Sequence, residues 1–277
     1  MSLLDSVKEV TNKVEEKVES LGDPIKPYFP ALSRFLIVAT FYEDALRMLI
    51  QWREQHDFMH LARGYPSLFV TVFLLANIAV MPVCATAVIA KKQVKGAVGG
   101  LCGVVISQAI VYGMFASMSM FLRNISILGG LLLCLSEHLI KSSKSKNSVF
   151  ASIPSLSPVE RHQYFQLAGR VLLMVLFLGM IISSRLTVAS LVASLFSFAA
   201  CVMIIVGFRA KWSASLLVSF LCVMNLLVNN WWSIDHASFR DSAKYNFFQT
   251  LSIMGGFLLL IVIGPGHLSY DEKKKDH

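Results

Sequence analysis

Glu43, Asp44 and Arg47 are the residues whose type and spacing most invite chemistry. They lie inside the run Arg34 to Trp52, RFLIVATFYEDALRMLIQW, which is otherwise apolar enough to cross a membrane. A carboxylate near the centre of a bilayer costs roughly 2.5–3.5 kcal/mol on insertion scales, so such groups face a protein interior or a wet cavity and are functional by default. On a helix Glu43 and Arg47 are spaced i,i+4 and Asp44 and Arg47 i,i+3, so the arginine can neutralise one acid but hardly both. About one negative charge is left over. Acids held this way can hold a cation or carry protons.

Further polar groups punctuate other apolar runs. Gln108 and Tyr112 form one i,i+4 pair and Asn225 and Asn229 another, and Gln249 with Thr250 opens the last run. Singly, each reads as an interhelical hydrogen bond of the kind common in membrane bundles, worth about 0.6 kcal/mol. Together with Glu43 and Asp44 they suggest a polar cavity open to one side of the membrane. His56 and His60 have the i,i+4 spacing of a helical metal pair, but no third ligand is near, so no metal is expected. The five cysteines all sit in apolar runs without metal or redox spacing and read as small packing residues. No cofactor is indicated.

The elements that must position these groups follow from composition. The chain has 277 residues, 55% of them hydrophobic and 15% charged, with a mean hydropathy of +0.63. That is the profile of an all-α, polytopic membrane bundle. The formal net charge is +8, but the basic residues cluster in short loops between apolar runs, where they set orientation; no nucleic-acid partner is expected. Apolar segments fall at 31–52, 65–90, 96–118, 123–140, 165–183, 186–207, 213–232 and 246–263. Each is close to the ~20 residues that a helix needs to span the hydrocarbon, giving about eight spans.

The chain looks duplicated. SILGGLLL from Ser126 resembles SIMGGFLLL from Ser252, and Tyr28, Phe29 and Arg34 recur at the same spacing as Tyr164, Phe165 and Arg170. Four spans per half make two parallel four-helix repeats, at 28–140 and 164–266, because an even number of crossings returns the chain to its starting side. The paired glycines Gly129-Gly130 and Gly255-Gly256 read as sites of close helix packing. Residues 141–163, rich in serine and carrying Pro154 and Pro158, are the linker between halves. Residues 1–27 form an amphipathic segment with Leu3, Val7, Val10, Val14, Val18 and Leu21 on one stripe. It lacks the basic start and continuous apolar core of a signal peptide, so insertion relies on a later span, and the stripe lies on a protein or membrane surface.

Lys91, Lys92, Lys95, Lys141, Lys144, Lys146, Arg161, Arg209 and Lys211 fall on one side of an eight-span chain, together with Lys273 to Lys275. The opposite side holds about half as many, so the basic side is cytosolic and both termini face the cytosol. Trp52, Trp231 and Trp232 then lie at the lumenal interface, as do the polar pairs above, and the sequon at Asn124 abuts a span too closely to be glycosylated. Counting ~1.5 Å per residue from Ala31, Glu43 lies ~18 Å along the first helix, past the midplane on the lumenal side. Residues 267–277 are a cytosolic tail ending DEKKKDH, where Lys273, Lys274 and Lys275 satisfy the spacing of a dilysine signal for retrieval to the endoplasmic reticulum, an address read by a receptor.

TFYEDALRMLIQW from Thr40, FLRN from Phe121, GRVLL from Gly169, YNFFQT from Tyr245, and GPG with the DEKKK tail from Gly264 resemble the surfeit locus protein 4 family over about residues 28–277. The resemblance implies a cargo receptor that cycles between endoplasmic reticulum and Golgi. Such a receptor loads soluble secretory proteins into coat-protein-II vesicles, recognises them near their mature N-termini, and returns by its dilysine tail. Its partners would be secretory cargo, the coats of export and retrieval, and membrane lipid. A free α-amine is a cation, which gives unpaired lumenal acid a purpose; Glu43, Asp44, Arg47, Gln108, Tyr112, Asn225, Asn229 and Gln249 are the candidate cargo-binding residues, with no catalytic role expected. The rival is a membrane-bound oxidoreductase or small-solute transporter, for which the sequence offers no histidine cluster, redox cysteine pair or phosphate loop.

Overall fold

A computed structural model of the full chain describes residues 26–114, 117–146 and 210–264, together with most of 164–175 and residue 202. Among these residues the fold is helical, without strands. Its main helices are α1 (Phe29–Ile50), α2 (Trp52–Asp57), α3 (Ser67–Ile89), α4 (Val94–Val111), α5 (Met118–Lys146), α6 (Ala210–Val228) and α7 (Ala237–Ile263). A short π-helical turn, Phe58–Ala62, follows α2. Five of the helices are long and apolar enough to cross a membrane: α3, α4 and α5, the segment containing α6, and α7. The 22-residue α1 is of spanning length but carries Arg34, Glu43, Asp44 and Arg47.

Two of the expected spans, 165–183 and 186–207, lie largely outside the described residues, as do residues 1–25, most of the 141–163 linker and the tail with Lys273, Lys274 and Lys275. Two others differ in length. The apolar stretch 123–140 sits within a 29-residue helix and 246–263 within a 27-residue one. Both extend past their apolar cores because charged residues that leave the hydrocarbon need not leave the helix, and α7 begins with Arg240, Asp241 and Lys244 already helical.

The faces of α3 show how the bundle is built. Val70, Leu74, Asn77, Met81, Ala85 and Val88 are buried at intervals of three and four, while Leu68, Val72, Leu75 and Val83 are exposed. A helix apolar on both its inward and outward sides is made for lipid. Pro82 lies within it. It removes one backbone donor, which spanning helices tolerate because side chains and neighbouring helices re-satisfy the freed groups. The Thr86 hydroxyl donates to the Pro82 carbonyl at 2.6 Å and is paired with the Tyr42 hydroxyl of α1 at 2.8 Å.

The first and last described helices pack against each other most extensively, and they run antiparallel. Gln51 meets Asp241, Glu43 meets Lys244, and the Ser252 hydroxyl donates to the Ile37 carbonyl at 2.5 Å, so rising numbers on α1 match falling numbers on α7. Glycine permits this approach. A Cβ at Gly255 would lie 2.6 Å from the Ile37 nitrogen and 2.8 Å from the Ser33 carbonyl oxygen. Gly130 of α5 meets Ile37 and Gly256 at the same level, with 3.8 Å between the Cβ it would carry and the Gly256 Cα. The paired glycines expected to allow close packing therefore meet one another across three helices.

At one end of the bundle the Arg34 guanidinium makes hydrogen bonds of 2.8 and 3.0 Å to both oxygens of Glu137 on α5, with both side chains buried. A small cavity of about 30 Å3 adjoins this pair, lined by Arg34, Val88, Lys91, Val94, Cys134, Glu137 and His138. Arg170, the residue matched to Arg34 in the duplication, is fully buried as well. The repeat itself depends on spans outside the described residues.

The three-helix glycine contact makes a direct prediction. Gly255→Leu drives a side chain into backbone that cannot withdraw and lowers stability by about 1–3 kcal/mol or more, the usual cost of overpacking. Gly103→Leu, where an added Cβ meets nothing within 4 Å, is close to neutral. Thermal unfolding of the two purified variants in detergent compares them; equal melting temperatures would show that the α1–α7 contact does not hold the bundle.

Candidate functional site

Glu43 and Asp44 project from the inward face of α1. They are 3% and 6% exposed, whereas Leu46, Leu49 and Ile50 on the same turns are 55–76% exposed. The helix presents leucine and isoleucine to lipid and its acids to protein. Arg47, one turn on, donates to Asp44 at 2.7 Å and approaches Glu43 only through Nε, at 3.8 Å. The arginine takes one acid, as its spacing predicts, and the acid it takes is Asp44.

The other acid is not left to itself. Lys244 of α7 brings its ammonium to 3.8 Å from Glu43. The leftover charge expected from the sequence is therefore compensated in part from a helix 200 residues away, which local spacing could not show. Asp241, one turn before Lys244, accepts a hydrogen bond from Gln51 at 2.6 Å. Tyr245 lies beneath the Arg47 guanidinium, 5.2 Å from ring centre to Cζ, and accepts a hydrogen bond from the Gln249 side chain. Arg123 of α5 adds a further positive charge beside Tyr245.

Compensation of charge here is not satisfaction of hydrogen bonds. Among the described residues both carboxylate oxygens of Glu43 are buried without a hydrogen-bond partner, as are Oε1 of Gln249 and, on the donor side, Nε of Arg47. Buried polar atoms in folded proteins overwhelmingly have partners, so each exception calls for an explanation. The Thr40 hydroxyl, one turn back on the same buried face, is unmet as well. Three unmet acceptors against one guanidinium donor and one hydroxyl leave the site richer in acceptors, so it would welcome a compact donor carrying positive charge.

The remaining candidates divide. Gln249 belongs to the cluster. Tyr112 lies at the same end, donating to Gln55 at 2.9 Å, while its carbonyl accepts from Arg63. Gln108 is buried against Asn77 and Met81, with contacts of 3.4 and 3.6 Å between α4 and α3. Asn225 donates to the Phe247 carbonyl at 3.2 Å and accepts from Asn229 at 2.7 Å, tying α6 to α7. Gln108 and Asn225 are thus engaged in helix-to-helix contacts, and Asn229 bonds back to Asn225 one turn before it, rather than being gathered with Glu43. Thr250 turns back to the Asn246 carbonyl of its own helix. Lys244, Tyr245 and Asp241 are the cluster members that sequence reading missed. The signal was present, since a lysine and an aspartate one turn apart open an apolar helix, yet it reads as an ordinary charged flank until α7 is known to lie on α1.

Tryptophans ring this end. Trp231 and Trp232 lie edge to face with centroids 6.0 Å apart, and the Lys244 ammonium stands 5.8 Å from the Trp231 ring centre. Lys91, Lys92 and Lys95 fall at the opposite end, in and beside the turn from α3 to α4. His56 contacts Ser67 and His60 contacts the Tyr65 carbonyl. Among the described residues no three His, Cys, Asp or Glu side chains are placed to hold a metal ion.

Comparison with known proteins agrees with the motifs. The chain is 42% identical to a surfeit locus protein 4 homolog of Schizosaccharomyces pombe over 94% of its length and 86% of the relative's. It is 38% identical to the ER-derived vesicles protein ERV29 of Saccharomyces cerevisiae, covering 99% of this chain and 87% of that one. A surfeit locus protein 4 homolog of Drosophila melanogaster is 37% identical over 95% and 96% of the two chains. No solved structure matches. The SURF4 family matches residues 8–277, reaching back into the amphipathic start that the motifs alone leave outside. The chain belongs to the SURF4 family.

Proposed function

We propose that this protein is a cargo receptor of the early secretory pathway. It binds soluble secretory proteins in the lumen of the endoplasmic reticulum, loads them into coat-protein-II vesicles and returns by the dilysine tail. Family membership supports the pathway, since a relative matched over nearly the whole chain is named as a protein of ER-derived vesicles. One observation carries the mechanism: Glu43 is a buried carboxylate with cations near it and, among the described residues, no hydrogen-bond donor on either oxygen.

The positive-inside rule puts the end bearing Lys91, Lys92 and Lys95 in the cytosol, so the Glu43 end faces the lumen. The described helices support the eight-span reading of the whole chain. α5 ends, and α6 begins, at the end bearing Arg34 and Glu137, as an even number of crossings between them requires. Both termini are then cytosolic and the tail lysines are accessible to coat proteins.

A newly processed secretory protein presents a free α-amine, a compact cation with several donors. Oriented acceptors and charge capture such termini. Within the cluster Glu43 is the acceptor, Asp44 holds Arg47 in place, and Gln249 offers its unmet carbonyl oxygen. Tyr112 borders the site, while Gln108 and Asn225 act by holding the helices in register and Asn229 supports Asn225. An acid pair that served only to close the bundle would gain little by leaving one carboxylate without donors.

The two acids therefore separate in experiment. Glu43→Gln leaves the Asp44–Arg47 pair intact and weakens capture of cargo with a free N-terminus by roughly ten- to a hundredfold, the worth of one charged hydrogen bond. Asp44→Asn strips the buried arginine of its partner and lowers stability instead. Pulse-chase secretion, with receptor level and location measured in parallel, checks this: Glu43→Gln slows export at normal receptor abundance, and N-acetylating the cargo has a similar effect. Undiminished export by Glu43→Gln would rule out the amine mechanism. Replacing Lys273, Lys274 and Lys275 by serine shifts the receptor toward the Golgi or cell surface with the fold untouched; imaging that finds it unmoved would remove the tail from the recycling step.

A further inference from the structure

The Glu43 site already holds a cation, and that cation belongs to the protein. We propose that Lys244 is a tethered stand-in for the incoming amine, occupying Glu43 in the unloaded receptor and giving way when cargo binds, so that it sets the affinity and selectivity of the site. The proposal rests on the reading of Glu43 as the amine acceptor and extends it to the residue that competes there.

Three features of Lys244 fit this role. Its ammonium lies 3.8 Å from Glu43, close enough to offset charge but beyond the 2.7–3.2 Å of a hydrogen bond, and both Glu43 oxygens remain without a donor. A small ammonium free to approach would gain the hydrogen bonds that Lys244 forgoes. The lysine side chain is about one-third exposed, at 34%, against 2% for the acid it faces, so it has somewhere to go. The Trp231 ring, 5.8 Å from its Nζ, offers a face on which a displaced ammonium can rest. Arg47 does not fit the role, because its fixed donor fork is committed to Asp44 at 2.7 Å.

A resident lysine also explains how a buried acid in a membrane protein can wait unloaded. Without Lys244, Glu43 would face the desolvated site with only the Nε side of Arg47 at 3.8 Å. With it, a ligand must outcompete a cation held at high effective concentration by its own backbone. A cation that binds Glu43 no better than Lys244 does is rejected; a compact ammonium that can hydrogen-bond the carboxylate, such as an α-amine delivered on an extended N-terminus, can enter. The same competition favours release once cargo begins to leave.

The test uses the full-length protein in detergent and two pools of randomised octapeptides, one with free α-amines and one N-acetylated, with capture quantified by mass spectrometry. Lys244→Met keeps the aliphatic stem and removes the competitor; it should retain several-fold more of the free-amine pool than the wild type and no more of the acetylated pool. Lys244→Arg replaces the competitor with one that can hydrogen-bond Glu43, and should retain less. Melting temperatures of both variants exclude misfolding as the cause, and Lys244→Arg supplies the opposite sign if Lys244→Met is unstable. Capture unchanged or reduced in Lys244→Met, while Glu43→Gln still reduces it, would overturn the competitor role alone. Capture unaffected by Glu43→Gln as well would overturn this inference together with the amine reading beneath it.

Discussion

The contact between α1 and α7 is the interaction on which the rest depends. It brings backbone to within glycine distance at Gly255, Ser33 and Ile37, and by fixing the antiparallel register there it decides what lies opposite what two turns away. Moved by one residue, α7 would rotate Lys244 off Glu43 and Tyr245 out from under Arg47. In lipid, apolar surface supplies little drive for helices to associate, so close packing of small residues and interhelical hydrogen bonds must do so. The Ser252 bond to the Ile37 carbonyl and the meeting of Gly130, Gly255 and Gly256 are that packing, and the charged cluster is hung from it.

The ends of α1 use buried charge differently. At the basic end one nitrogen of the Arg34 guanidinium reaches both oxygens of Glu137, at 2.8 and 3.0 Å, and both side chains are buried. Both acceptor oxygens of Glu137 thereby receive a donor, which offsets the desolvation of the carboxylate and joins α1 to α5. At the other end Asp44 takes a single hydrogen bond from Arg47, and Glu43 has charge on two sides and, among the described residues, no donor on either oxygen. The contrast lies between the two glutamates: each oxygen of Glu137 receives a donor, and neither oxygen of Glu43 does among the described residues.

Much of this was legible in the sequence because membrane helices write their positions in plain composition. Apolar runs, basic turns and interfacial tryptophans located α3, α4, α6 and the core of α7, and three charges in an apolar run marked one half of the charged cluster between α1 and α7. What stayed hidden was long-range. Lys244 and Asp241 look like a polar flank, and only the packing of the last helix on the first turns them into cluster members. Asn225, Asn229 and Gln108 looked like cavity lining for the same reason in reverse: i,i+4 spacing says that two amides share a helix face, not which neighbour that face meets. The extra length of α5 and α7 was missed because hydropathy reports where lipid ends and not where the helix does.

The central claim is that the acid at position 43 meets the N-termini of lumenal proteins, and proximity is its most direct test. A photocrosslinking residue placed at Met48, one turn beyond Asp44 on the same buried face, is activated in sealed microsomes and the trapped peptides are sequenced. The account predicts adducts to soluble secretory proteins, concentrated within the first few residues of their mature chains. Adducts confined to lipid and to other membrane helices, or scattered along cargo with no preference for the terminus, would contradict it.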